Sequence, residues 1–238
     1  MAAFVTDLFR RLWRWTKRIC IGLFILQFLY ILLLKWVPPP TTFTMLQNRV
    51  SAWQDGAPFH YQWVSYDQIS PYAKLAVMAG EDQLFPDHNG FDFKSIEKAW
   101  KHNQHNRSLR GASTISQQVA RNVFLWQGRN WIRKAIEVYF TFMIEKIWGK
   151  RRILEMYLNV AQMGPHVFGI QAAAEVYFHK PASRLTREEA AMIAAVLPNP
   201  VRFRVNPPSS FTRWRQQYLL QQMRNLEGDE DIEALIRK

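Results

Sequence analysis

With 238 residues, 48% of them hydrophobic and 14% aromatic, the chain can build one domain with a sizeable core plus an appendage. A net charge of +12 favours anionic partners such as lipid headgroups, phosphorylated substrates or nucleic acid. A single cysteine, Cys20, excludes an internal disulfide and any cysteine-based zinc site.

Residues 1–18 form a basic arm with Arg10, Arg11, Arg14, Lys17 and Arg18. Residues 19–37 are apolar apart from Gln27 and Lys35. As a helix they span about 28 Å, close to the thickness of a bilayer core. Lys35 and Trp36 at the far end suit the membrane interface. Pro38-Pro39-Pro40 follow in place of a small-residue cleavage site, so the segment reads as a retained single-pass anchor rather than a cleaved signal peptide. The positive-inside rule places the N-terminus in the cytoplasm and the chain after Pro38 outside. An external domain argues against nucleic acid as the partner of the basic charge. The aromatics also pattern into cores instead of interleaving with basic residues.

Residues 38–64 read as a linker and the start of the outer domain, with scattered aromatics, a turn at Asp55-Gly56 and a short strand from Tyr61 to Val64. Ser70-Pro71 opens a helix whose apolar run, Leu75 to Ala79, leads into Glu81-Asp82-Gln83-Leu84-Phe85-Pro86-Asp87-His88-Asn89-Gly90. A carboxylate at the end of an apolar helix is partly desolvated, which raises its pKa and suits general acid–base work. A solvated helix terminus would account for the same residues.

Phe91 to Trp100 reads as a helix and Lys101 to Arg110 as a mobile loop. His102 and His105 lack a third metal ligand nearby, and Ser95-x-x-Lys98 lacks the partner motifs of a penicillin-binding nucleophile. Gly111 to Phe124 is expected to be helical, with Ala112, Ile115, Val119 and Val123 on one face. Ser113, Thr114, Gln117, Gln118, Arg121 and Asn122 form the other. Short hydroxyls and amides with one cation are an inventory for holding a sugar or phosphate. Ser113 and Thr114 are expected in the first turn, where free N–H groups favour an anion.

A helix over Arg129 to Trp148 puts Arg133 and Glu137 on one face beside Lys134, either as a surface ion pair or as a carboxylate held by cations next to a phosphate. Further helices are expected from Lys150, between Thr186 and Leu197 behind a Thr186/Glu189 capping box, and over Phe211 to Leu226. The charged tail, residues 227–238, is expected to fray.

Taken together, Glu81 to Gly90, Gly111 to Asn122 and Arg133 to Glu137 resemble successive motifs of the peptidoglycan glycosyltransferases. Arg152-Ile-Leu-Glu-Met-Tyr-Leu-Asn159 and the Gly169 to Lys180 segment resemble that family's later motifs. The resemblance covers residues 65–200 in order. Ala112, Ser116 and Arg121 stand where glycine, threonine and lysine are frequent. An anchor without a following transpeptidase domain resembles the monofunctional biosynthetic transglycosylases. The resemblance implies a mainly α, lysozyme-like fold with head and jaw lobes over residues 65–226, behind the anchor in the bacterial inner membrane. It implies a polymerase of glycan from lipid II, with Glu81 as general base and Glu137 orienting cations or a divalent ion. Ser113, Thr114, Arg121, Arg133, Lys134 and Lys180 would contact the pyrophosphate. Gln118 and Asn122 would hold the sugar, and Asp82, Phe85, His88 and Gln117 would also belong to the substrate site, with Phe85 and His88 shaping the Glu81 loop. No tightly bound cofactor is implied beyond magnesium or manganese assisting the pyrophosphate. Cell-wall synthesis or division proteins are the implied class of protein partner. A lysozyme-like lytic enzyme using Glu81 as acid, or a membrane-anchored scaffold, are the alternatives.

Overall fold

The computed structural model describes residues 2–105, 111–128 and 130–237, which fall into two units, Met1–Val37 and Pro38–Lys238. The first is one helix, α1 (Ala2–Leu33), with no breaker along it. It absorbs the basic arm into the same helix and stops four residues short of the expected end, leaving Lys35 and Trp36 in a turn. Within it, Phe9–Leu33 is long and apolar enough to cross a membrane, with mean hydropathy 1.7.

The second unit begins with α2 (Phe43–Gln54), capped by Thr42, whose hydroxyl accepts from the Met45 N–H. This helix lies in the stretch read as a linker and the start of the outer domain. A three-stranded sheet follows from β1 (His60–Tyr61), β2 (Gln162–Gly164) and β3 (Val167–Phe168). Its order is β1-β3-β2, with β1 parallel and β2 antiparallel to β3. Asn159 ties this region down: its side chain bonds both the N–H and the C=O of Val64, at 2.9 and 3.0 Å.

The next group of helices is centred on α3 (Pro71–Glu81). Ser70 caps it, Pro71 opens it, and Ala73 through Ala79 are all buried. A helix buried on every side belongs in a core, and even Lys74 is fully buried here, its ammonium 3.8 Å from the Tyr66 ring centroid. Here α9 (Arg187–Val196), α10 (Ser210–Leu226) and α11 (Glu230–Ile236) surround it. Gly80 lets α10 come close, since a Cβ there would meet the Leu219 side chain at 3.2 Å. The charged tail is ordered as α11, capped by Asp229 and anchored through buried Ile232 and Ile236, because two isoleucines four apart give it an apolar edge to bury.

Alongside stand α4 (Phe93–His105), α5 (Ile115–Phe124), α6 (Trp131–Ile147), α7 (Lys150–Val160) and α8 (Ile170–Phe178). α4 takes in residues 101–105 of the expected loop, while 106–110 lie outside the described residues, as does Arg129. α5 packs against both α6 and α7, with Phe124 stacked on Phe140 at 4.5 Å.

Candidate active site

α3 ends at Glu81 and the chain turns through Asp82 to Gly90. Asp82 is buried and accepts from two directions. The Ile115 N–H donates to its Oδ2 at 3.0 Å, and His88 Nε2 lies 2.9 Å from its Oδ1. His88 Nδ1 accepts from the Gly90 N–H at 3.1 Å, which assigns the ring proton to Nε2. Phe85 is fully buried, with the Lys150 ammonium 4.6 Å from its ring centroid. Asp82, Phe85 and His88 are thus built into the loop's own scaffold. Gly90 has φ +88°, and a Cβ there would strike Thr141 Cγ2 at 2.8 Å, so the turn needs glycine on both counts.

α5 starts later than the sequence suggested. Thr114 is the N-cap and Ile115 the first helical residue, so Ala112 and Ser113 lie in the extended lead-in. Thr114 and Gln117 form a capping box, and the Thr114 hydroxyl also donates to the Gly90 carbonyl at 2.7 Å. Both side chains are buried and occupied, which directs them to hold the α5 start against the Glu81 loop.

One turn further along, Gln118 Nε2 donates to Glu81 Oε2 at 2.8 Å, and the Gln118 carbonyl faces the Tyr157 hydroxyl at 3.4 Å. Arg215 of α10 places Nη2 3.9 Å from Glu81 Oε1. Burial raises the Glu81 pKa; the Gln118 hydrogen bond and the Arg215 and Arg121 charges pull it back, and Asp82 pushes it up again. Burial likewise holds the Tyr157 hydroxyl well above its ordinary pKa, so it stays a neutral donor.

Gln118 and Tyr157 line a cleft of about 450 Å³, together with Arg121, Asn122, Arg133 and the Leu197-Pro198 turn. The structure therefore brings Gln118, Arg121, Asn122 and Arg133 to one cavity, with Glu81 behind its wall, one hydrogen bond away through Gln118. Glu137 is 1% exposed, with Arg133 at 3.0 Å and Lys134 at 2.5 Å on its two oxygens. The Arg133 Nε is buried without a hydrogen-bond partner. Lys180 is committed to Glu189, at 2.7 and 3.0 Å, on the α8–α9 connection.

The donor set does not fit a resident divalent ion at Glu137. Each of its oxygens already receives a cation, and among the described residues no group of three or more His, Cys, Asp or Glu side chains converges. Arg215, the contact of Tyr157 with Gln118 and the Ser116–Glu145–Lys150 cluster that ties α5 to α6 and α7 escaped the sequence reading.

The profile of the Transglycosylase family matches residues 47–224. The chain belongs to that family. It is 53% identical over 224 residues to a biosynthetic peptidoglycan transglycosylase of Yersinia pestis (strain Pestoides F), covering 92% of this chain and 93% of the relative. A protein of the same description from Yersinia pseudotuberculosis serotype O:1b (strain IP 31758) matches to the same extent. The mostly helical unit behind one long apolar helix agrees with a transglycosylase domain of the lysozyme-like class.

Proposed function

We propose that the protein is a peptidoglycan glycosyltransferase that polymerises glycan from lipid II. The observation carrying this reading is the Glu81 carboxylate, desolvated and held by Gln118, a residue that lines the same cleft as Arg121 and Arg133. Glu81 acts as general base on the 4-hydroxyl of the acceptor N-acetylglucosamine. That oxygen forms a bond to C1 of the donor muramyl unit as the C1–O bond to undecaprenyl pyrophosphate breaks, with inversion. The hydroxyl proton passes to Glu81, and the pyrophosphate carries away the bonding pair.

A pyrophosphate leaves as an anion and needs cations and N–H donors more than it needs a proton. Arg121 and Arg133 supply them from the cleft wall, and the unpartnered Arg133 Nε is a donor already desolvated for that purpose. Glu137 fixes the Arg133 and Lys134 side chains, while Asn122 and Gln118 offer amides to the sugars. Magnesium or manganese, where it assists, arrives on the pyrophosphate, and Ser113 lies near the α5 start without a committed partner role.

α1 anchors the protein in the inner membrane with the Arg10 to Arg18 cluster in the cytoplasm and the second unit in the periplasm. Incubation of full-length protein with labelled lipid II and magnesium tests the reading. Long, muramidase-sensitive glycan from wild type and none from Glu81→Gln is the expected result. Release of soluble muropeptides from sacculi without polymer would instead make Glu81 the acid of a lytic enzyme.

A further inference from the structure

Four aromatic rings run in contact from the loop after α9 along α10. Phe203 and Phe211 have centroids 4.7 Å apart, Phe211 and Trp214 5.7 Å, and Trp214 and Tyr218 6.1 Å with rings nearly parallel. Much of their surface is left to solvent: Phe211 is 42% exposed, Trp214 60% and Tyr218 46%. The ladder adjoins elements of the proposed site. Phe203 lies three residues beyond Pro200, which lines the cleft. At about 100° per residue, Phe211, Trp214 and Tyr218 occupy the flank of α10 adjoining Arg215, Leu219 and Gln222. That neighbouring face meets the end of α3: Arg215 reaches Glu81, and Gln222 accepts a hydrogen bond from Gln83 at 3.1 Å.

The chemistry of the flank distinguishes its occupant. Beyond Tyr218 the same side continues with Gln221 and Asn225, hydrogen-bonded to each other at 3.0 Å. Flat exposed rings followed by amides match the two kinds of surface a pyranose presents, its C–H face and its hydroxyl and acetamido edge. The exposed apolar residues of α6, Trp131, Ile132, Val138 and Phe142, stand by contrast on a helix that carries no amide side chain. From Phe211 to Tyr218 the helix rises about 10 Å, room for two sugar rings in line.

We propose that this ladder is a track for the glycan strand, holding pyranose rings by stacking outside the catalytic cleft. The assignment rests on the polymerase reading above. Stacking on rings beside the centre keeps a strand attached between additions, so the track sets how long a strand grows before release.

Full-length protein with lipid II, wild type beside Trp214→Ala/Tyr218→Ala, tests this through strand length and through titration with lipid-free, uncrosslinked glycan oligomers. The double variant is expected to bind oligomers about tenfold more weakly, from two lost stacking surfaces, and to release shorter strands. Trp214→Phe should restore both properties and Trp214→Leu neither, because only the ring offers a flat face. Equal oligomer affinity and strand length in wild type and double variant would overturn the track. So would full function in Trp214→Leu, or a variant altered only in self-association, which would make the ladder a contact for a second copy. Wild type that binds oligomers through Trp214 yet makes no polymer would refute the polymerase reading while supporting the track.

Discussion

Two buried carboxylates, Glu81 at the end of α3 and Glu137 in α6, are treated in opposite ways by their surroundings. Glu137 has a cation on each oxygen, at 3.0 and 2.5 Å. Glu81 has one neutral amide donor at 2.8 Å, and its nearest cation stands off at 3.9 Å. Neutralising contacts turn a carboxylate into a fixed brace; a neutral donor with a distant cation orients it and leaves it basic. On the proposed reading, the fold separates the base from the element that aims cations at a leaving group.

The largest effect expected from breaking this contrast is at Glu81. Glu81→Gln keeps the shape but removes the proton acceptor, and polymerisation should fall by roughly 10²- to 10⁴-fold in a lipid II assay. Glu137→Gln should act on the fold as well: it leaves Arg133 buried without its carboxylate, at a cost of roughly 3 kcal/mol, readable by chemical denaturation. Gln118→Ala sharpens the picture, since it frees Glu81 from its orienting donor while leaving the charge. The rate should drop about tenfold, the worth of one hydrogen bond to a charged group, with folding largely retained.

The smallest effect is thermal and runs the other way. Burial raises the folded-state pKa of Glu81 above its unfolded value, so the folded protein holds more protons between the two. Stability is thus lost as pH rises through that window. At neutral pH Glu81→Gln should raise Tm by roughly 2–4 °C, equivalent to about 1 kcal/mol, and the gain should vanish below the unfolded carboxylate pKa.

Local chemistry was legible along the chain. Ser70-Pro71 opening α3, the Thr186/Glu189 box opening α9 and the Arg133–Glu137 spacing all follow from contacts within four residues. The start of α5 carried an equally local signal, Thr114-x-x-Gln117, but the apolar spacing from Ala112 masked it. The helix α2 was hidden for a related reason. Its spaced apolar residues Phe43, Leu46, Val50 and Trp53 are exposed, and they look like scattered aromatics unless Thr42 is taken as a cap. Arg215 left no trace and Tyr157 showed only as part of a motif without a role, because their meaning lies in the approach of α10 and α7 to the end of α3, a long-range packing with no local pattern.

The pH dependence of polymerisation, measured for wild type beside Arg215→Gln, tests the central claim most directly. Glu81 must be ionised to accept the proton, so the rate should rise with pH along an acid limb lying above the ordinary carboxylate range. Removing the Arg215 charge takes away a contribution that lowers the Glu81 pKa, and the limb should move to higher pH. A limb that stays in place in Arg215→Gln, or that lies at an ordinary carboxylate value in wild type, would contradict the assignment of Glu81 as a desolvated base tuned across α3 and α10.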